Sequence, residues 1–139
     1  MNMENKTKTA VYCRVAKEVK IALYCRVDRE DDEIMKIQEA MLRKFAKENY
    51  YSNVSVYADN GFNGLNFNRP AFNRLNEDIS AGLIGTVIVT NISRISRNSF
   101  DFYNWIDNIR NEGVSFFARR FYYTNCINIS NFKQIVNIL

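Results

Sequence analysis

Arg94 and Arg97 lie three residues apart in the run Ser93-Arg94-Ile95-Ser96-Arg97, so one helical turn would aim both side chains the same way. Arg26 stands two positions before Asp28 at the end of an apolar run, and Arg69 precedes the only proline, Pro70. Guanidiniums gathered at one point repel one another unless an anion sits among them. A phosphodiester supplies that charge and accepts the paired, planar hydrogen bonds an arginine offers. As its phosphorus becomes five-coordinate, charge builds on its oxygens, and fixed arginines stabilise that state most. The alternative is that each arginine pairs with a local acid at the surface, a common and weak arrangement. The choice depends on whether the chain brings these residues to one place.

The elements that must position them can be read from periodicity. Residues 21–28, Ile-Ala-Leu-Tyr-Cys-Arg-Val-Asp, form a continuous apolar run ending in charge, as expected of a parallel strand covered on both faces. Residues 31–49 turn helical, with Ile34, Ile37, Met41 and Phe45 as the predicted buried stripe, Ala40 and Leu42 widening it, and Glu39 and Arg43 as an outer i,i+4 pair. Residues 53–59 alternate as a second strand, and Asp59-Asn60-Gly61-Phe62-Asn63-Gly64 is a turn-rich loop. Pro70 suits the first position of a helix that buries Phe72, Leu75 and Ile79 and stops at Gly82. Residues 85–91 hold a third strand. Asn98 or Ser99 caps the next helix, with Phe102, Tyr103, Ile106 and Ile109 apolar and Gly113 at its end. Residues 114–118 are a fourth strand, and 119–128 an aromatic and polar loop or short edge strand. Residues 130–139 begin a further helix with Phe132, Ile135, Val136 and Leu139 apolar.

Strands alternating with helices predict an α/β fold of three layers around a mainly parallel sheet. With right-handed crossovers, the expected strand order is 2-1-3-4, which leaves a crevice at the carboxyl ends of strands 1 and 3. Arg26 and Asp28 would line one wall, Arg94 and Arg97 the other. Asp59 would lie one strand further out, and Arg69 on a loop able to fold over the mouth. Residues 1–20 read as an extension: Ala10-Val11-Tyr12-Cys13-Arg14-Val15-Ala16 nearly repeats the run from Ala22 to Asp28, as an extra edge strand or a mobile arm.

Composition narrows the chemistry. The 139 residues are 47% hydrophobic and 24% charged, ordinary for one globular domain. The net charge of +4 suits a polyanion partner. With no histidine, imidazole acid–base catalysis, Ser-His-Asp triads and His-ligated zinc are excluded. Cys13, Cys25 and Cys126 are few and lack metal spacing, which predicts reduced packing residues in a cytoplasmic protein. No apolar run approaches the roughly 18 residues of a membrane span, and no glycine-rich phosphate loop supports a nucleotide cofactor or a flavodoxin-like phosphate binder. The aromatic tail, Phe116, Phe117, Phe121, Tyr122 and Tyr123, could stack on bases or belong to a core or an oligomer contact.

As an ordered set, these residues resemble the catalytic domain of the serine recombinases, the resolvases, invertases and large transposon integrases, from residue 21 to 139. Tyr24-Cys25-Arg26-Val27 is similar to the first-strand motif, and Gln38 falls where the family has a helix glutamine. Asp59, Gly61 and Gly64 are similar to an Asp-x-Gly-x-x-Gly-like loop, Arg69-Pro70 to the loop arginine, and Ser93 to Asn98 to the arginine-rich turn. The resemblance implies a resolvase-like domain over 21–129 and, at 130–139, the truncated start of a long dimerisation helix. It implies site-specific DNA strand exchange with neither metal nor cofactor, by a homodimer that forms a tetramer on DNA when active. It assigns catalytic positions to Arg26, Gln38, Asp59, Arg69, Arg94 and Arg97, with the four arginines on DNA. The family's serine nucleophile falls at Asp28, and the upstream copy has Ala16 there. Ser93, in place of a usual aspartate, and Ser96 are the nearby hydroxyls, and Asn63 stands where the family often has serine. The expectation is a recombinase-type domain from a mobile element that does not cleave DNA. The alternative is a non-catalytic DNA-binding or recombinase-partner module of the same fold.

Overall fold

Ala22 to Val27 are all buried, so the strand that carries them, β1 (Lys20–Val27), runs through the middle of the sheet. The computed structural model describes residues 19–118. The near-repeat in residues 10–16, the segments 119–128 and 130–139, Cys13 and Cys126 lie outside them. After β1 come α1 (Asp32–Glu48), β2 (Val54–Asn60), α2 (Pro70–Ser80), β3 (Ile84–Val89), a 3₁₀ turn (Ile92–Arg94), α3 (Ser99–Asn111) and β4 (Ser115–Ala118). The four strands are parallel in the order β2-β1-β3-β4, as the alternation of strands and helices predicted.

Local chemistry sets the helix ends. Asp31 caps α1 by accepting from the Ile34 amide at 3.0 Å. Asn98, rather than Ser99, caps α3, its Oδ1 accepting from Phe100 and Asp101 at 2.8 and 3.2 Å. Pro70 is the first residue of α2, where its missing N–H costs nothing. Gly82 and Gly113 follow α2 and α3 with φ of +77° and +79°, the left-handed geometry that glycine adopts most readily.

The two faces of the sheet are covered unequally. On one, α2 and α3 bury Phe72, Leu75, Ile79, Trp105, Ile106 and Ile109 against Tyr24, Val87, Val89 and Phe116. Rings there meet edge-on or tilted, with Phe72 5.5 Å from Trp105 and Trp105 5.7 Å from Phe116. On the other face, α1 supplies Met35, Leu42 and Ala46 to Leu23, Cys25, Val27 and Ile88, and Phe117 is only partly buried against them.

Two expectations are corrected. In α1 the buried residues are Met35, Gln38, Leu42 and Ala46, whereas Ile34, Ile37 and Met41 are 49%, 56% and 37% exposed. The helix is rotated because Gln38 turns inward to hydrogen-bond the Arg26 backbone. In α3 it is Trp105, not Tyr103, that joins Phe102, Ile106 and Ile109 in the core. Its indole N–H donates to Asn76 Oδ1 at 2.8 Å, which makes burial of that polar group tolerable.

Candidate functional site

The register of β1 with β3 ends at Leu23 and Ile88, so past that point β1 runs on with one side unpaired. Gln38 completes it: its Oε1 accepts from the Arg26 amide at 2.9 Å and its Nε2 donates to the Arg26 carbonyl at 3.2 Å. Arg94 Nη1 donates to the same carbonyl at 3.0 Å. The 3₁₀ turn after β3 is thereby brought to the tip of β1, and the crevice expected from the strand order forms there.

Within it Arg26 is fully buried. Its Nε donates to Arg94 O at 3.0 Å, Nη1 to Phe62 O at 2.9 Å and to Asp28 Oδ1, and Nη2 to Ser93 O at 2.6 Å. One guanidinium therefore ties together the β1 tip, the loop after β2 and the turn after β3. Gly64 packs against it so closely that a Cβ at that position would lie 2.7 Å from Arg26 Nη2 and 3.0 Å from Arg97 Cγ.

Arg69 is also buried. Its Nε donates to Asn66 O at 3.1 Å, Nη1 to Tyr24 Oη and Arg94 O, each at 2.9 Å, and Nη2 to Ile95 O. Its guanidinium carbon lies 4.5 Å from the Phe72 ring centre, within cation–π range. Tyr24 in turn donates to Asp59 at 2.7 Å. Asp59, buried as well, accepts from the Ala71 and Phe72 amides at 2.8 and 3.0 Å. It caps α2 from a neighbouring strand, since Arg69 at the N-cap position provides no side-chain cap, and its charge complements the helix dipole. Burial, opposed by the Arg69 charge and reinforced by the hydrogen bond to Asp59, drives the Tyr24 phenol above its usual pKa.

The four arginines expected around the crevice thus divide by burial. Arg26 and Arg69 are enclosed because backbone carbonyls claim their N–H groups, and such carbonyls need donors once shielded from water. Asp59 faces inward to α2.

The outer residues are Asp28, Arg94 and Arg97. Asp28 bridges two arginines, one oxygen to Arg26 and the other 2.8 Å from Arg97 Nη2. Partial burial raises its pKa, but the hydrogen bond and charge of Arg26, with Arg97 behind them, outweigh this and hold it below the ordinary carboxylate value. The Asp28 and Arg97 side chains are 38% and 48% exposed, so this pair meets solvent. Arg94 is half-buried, and burial, with the Arg26 charge, lowers its pKa. Arg26, Asp28 and Arg97 thus meet through the Asp28 carboxylate, and the Arg94 side chain reaches the Arg26 carbonyl beside them. Neither nearby serine hydroxyl is free: Ser93 donates to Asn91 Oδ1, and Ser96 donates to the Asn98 carbonyl at 3.1 Å and accepts from its amide at 3.0 Å.

Periodicity did not single out Tyr24, Gly64 or Thr90. For Tyr24 a signal was present, because a tyrosine inside a buried strand must find a partner for its hydroxyl. For Gly64 the signal was its place in the Asp-x-Gly-x-x-Gly-like loop, which gave no hint of the close approach to Arg26. Thr90 Oγ1 and Arg94 Nε are buried without a hydrogen-bond partner among the described residues.

The family model described as "Resolvase, N terminal domain" matches residues 21–126. A Bacillus subtilis (strain 168) protein named as a DNA recombinase is 38% identical over 88 residues, which is 63% of this chain and 15% of that protein. Among solved structures, the N-terminal catalytic domain of TP901-1 integrase superposes with a TM-score of 0.73 at 26% identity, covering 86% of this chain and 93% of that one. A resolvase family site-specific recombinase from Streptococcus pneumoniae gives a TM-score of 0.66 at 26% identity, covering 87% of each chain. By sequence and by fold, the chain belongs to the resolvase N-terminal domain family of the serine recombinases.

Proposed function

We propose that this domain is a serine-recombinase catalytic domain that engages the DNA backbone through Arg97 and Arg94 but does not cleave it, because Asp28 stands where the family carries its serine. The observation that carries the reading is the bridge from Asp28 to Arg26 and Arg97 at the carboxyl end of β1. A serine there would attack phosphorus, release a DNA 3′ hydroxyl and keep the phosphodiester energy in a phosphoserine ester on the 5′ end until a new 3′ hydroxyl attacked it and released the serine. A carboxylate carries charge that a phosphodiester repels. If it did attack, the product would be a mixed carboxylic–phosphoric anhydride that water destroys. Asp28 instead acts as an internal anion, occupying an arginine that a phosphate would otherwise hold.

The division of labour follows from burial. Arg26, Arg69, Gln38 and Asp59 shape and brace the crevice, while Arg97 and the half-buried Arg94 offer N–H groups to a phosphate. The family and a relative named for DNA recombination support DNA as the partner. The chain spans 15% of that relative's length, so the proposal concerns this domain. The integrase name of one structural neighbour supports an origin in a mobile element. Homodimerisation through residues 130–139 is part of the same proposal.

The test pairs binding with cleavage. Fluorescence anisotropy on a labelled duplex is expected to give weak, salt-dependent affinity. Incubation with supercoiled DNA, then denaturing electrophoresis, is expected to give no covalent adduct. An adduct that disappears in Asp28→Asn would overturn the assignment. Asp28→Asn removes the internal anion and is expected to tighten DNA binding about fivefold, ~1 kcal/mol. Unchanged or weaker binding would remove Asp28 as a competitor of phosphate.

A further inference from the structure

Two segments meet at the mouth of the arginine crevice, and each turns a large apolar side chain to water. The Gly64 carbonyl accepts from the Arg97 amide at 3.0 Å, which joins the loop after β2 to the turn before α3. Leu65 follows Gly64 and is 68% exposed, and Phe100, in the first turn of α3, is 70% exposed. By standard bond lengths the Leu65 Cα lies no more than about 7 Å from the Arg97 amide nitrogen, and the Phe100 Cα no more than about 11 Å from the Arg97 Cα. Arg97, itself half open to water, therefore has an apolar residue close by on each of two segments.

Neither residue sits on loose backbone. Arg26 donates to Phe62 O at 2.9 Å and Arg69 to Asn66 O at 3.1 Å, while Asn63 Oδ1 accepts from the Leu65 amide at 2.9 Å. The Phe100 amide is held by Asn98 at 2.8 Å, and Ser96 bonds both the amide and the carbonyl of Asn98. One exposed leucine is ordinary. Two apolar side chains on pinned backbone beside a cation are preorganised, so contact with a partner costs little ordering.

We propose that Leu65 and Phe100 are wedges that press on the base step next to the phosphate held by Arg97. This rests on the reading that Arg97 takes a DNA phosphate. The cation between them favours DNA over a protein surface. A protein covering both side chains would have to bury Arg97 or bring it an acid. A nucleic-acid strand supplies the anion and, one sugar away, the apolar face of a base. Wedges of this kind partly unstack the step they meet, and pyrimidine–purine steps yield most easily. The domain would then select deformable DNA without hydrogen bonds to base edges.

The experiment compares two labelled duplexes of equal length, one of alternating TA steps and one an uninterrupted A-tract. By fluorescence anisotropy the wild type is expected to bind the TA duplex about fivefold more tightly. Leu65→Ser/Phe100→Ser is expected to bring the two affinities within about twofold of each other, with the salt slope unchanged because Arg97 remains. A 2-aminopurine at one TA step is expected to brighten with the wild type and stay dark with the double variant. Tyr50→Ser, at an exposed position on the loop between α1 and β2, is expected to change neither readout. A double variant that keeps the preference and the brightening would overturn the proposal, as would a wild type that binds with salt dependence yet does not distinguish the duplexes. Self-association lost in the double variant at sedimentation equilibrium, with the preference intact, would assign the pair to a protein contact instead. Absence of salt-dependent binding altogether would overturn the phosphate reading, and this inference with it.

Discussion

Arg26 and Arg97 come within reach of the same carboxylate, yet they do different things. Arg26 is sealed in and donates to three backbone carbonyls from two loops as well as to Asp28. Among the described residues Arg97 holds only Asp28 by its side chain, and it is half open to water. Arg69 belongs with Arg26, and Arg94, half-buried, stands between. The difference teaches that a cluster of arginines is not one anion site. Guanidiniums whose acceptors are main-chain carbonyls act as fasteners of loops. Those whose acceptor is an exposed acid remain exchangeable, because another anion can take that acid's place.

The comparison breaks most visibly at the inner end. Arg69→Ala strips donors from three carbonyls and from Tyr24 in a buried setting, and is expected to lower stability by about 3 to 5 kcal/mol in urea unfolding. A loss no larger than that of Arg97→Ala would dissolve the distinction. Asp59→Asn keeps the shape but turns an anion at the start of α2 into a neutral amide. It should cost about 1 to 2 kcal/mol, read as a lower urea midpoint with unchanged slope. Gly64→Ala forces a methyl onto a guanidinium that cannot retreat. A loss of about 1 to 3 kcal/mol is expected, together with weakened DNA binding as Arg26 and Arg97 shift.

At the outer end the effects on stability should be slight. Arg97→Ala is expected to stay within about 0.5 kcal/mol of wild type, while reducing the salt dependence of DNA binding by about one phosphate contact. Asp28 sharpens the contrast through pH. Its folded pKa lies below the ordinary value, so its contribution is complete above about pH 4 and fades as pH falls through the lowered value. Melting curves of wild type and Asp28→Asn should keep a constant gap from pH 5 to 8 and converge in acid. A gap that widens on acidification would contradict the ion pair.

Much of the frame was legible in the sequence because parallel α/β units write it in alternating patterns. Apolar runs ending in charge marked the strands, and Pro70, Gly82 and Gly113 marked the helix ends. The order 2-1-3-4 followed from chain topology, and with it the approach of the turn after β3, which carries Arg94 and Arg97, to the tip of β1. What the pattern could not carry was which side of a residue type wins. In α1 the most apolar positions, Ile34, Ile37 and Met41, face out because Gln38 has a backbone to satisfy, and one strong polar contact outweighed three apolar side chains. Arg26 and Arg69 carry the same formal charge as Arg97, but no periodicity reveals that loops will close over them. Trp105 stands at i+3 from Phe102, on the same stripe as Ile106 and Ile109, whereas Tyr103 does not.

Gln38 has one more consequence. By giving the main chain of Arg26 both a donor and an acceptor, its carboxamide behaves as a single rung of a missing ladder, a spacer wedged where β1 and β3 part. The main chain of Arg26 is therefore held on the α1 side by an uncharged group, indifferent to acidity and salt, while the Arg94 guanidinium grips the same carbonyl from the turn after β3. Anything that enters meets an aperture already cut to size, and the cost of keeping it open has been met before the visitor arrives.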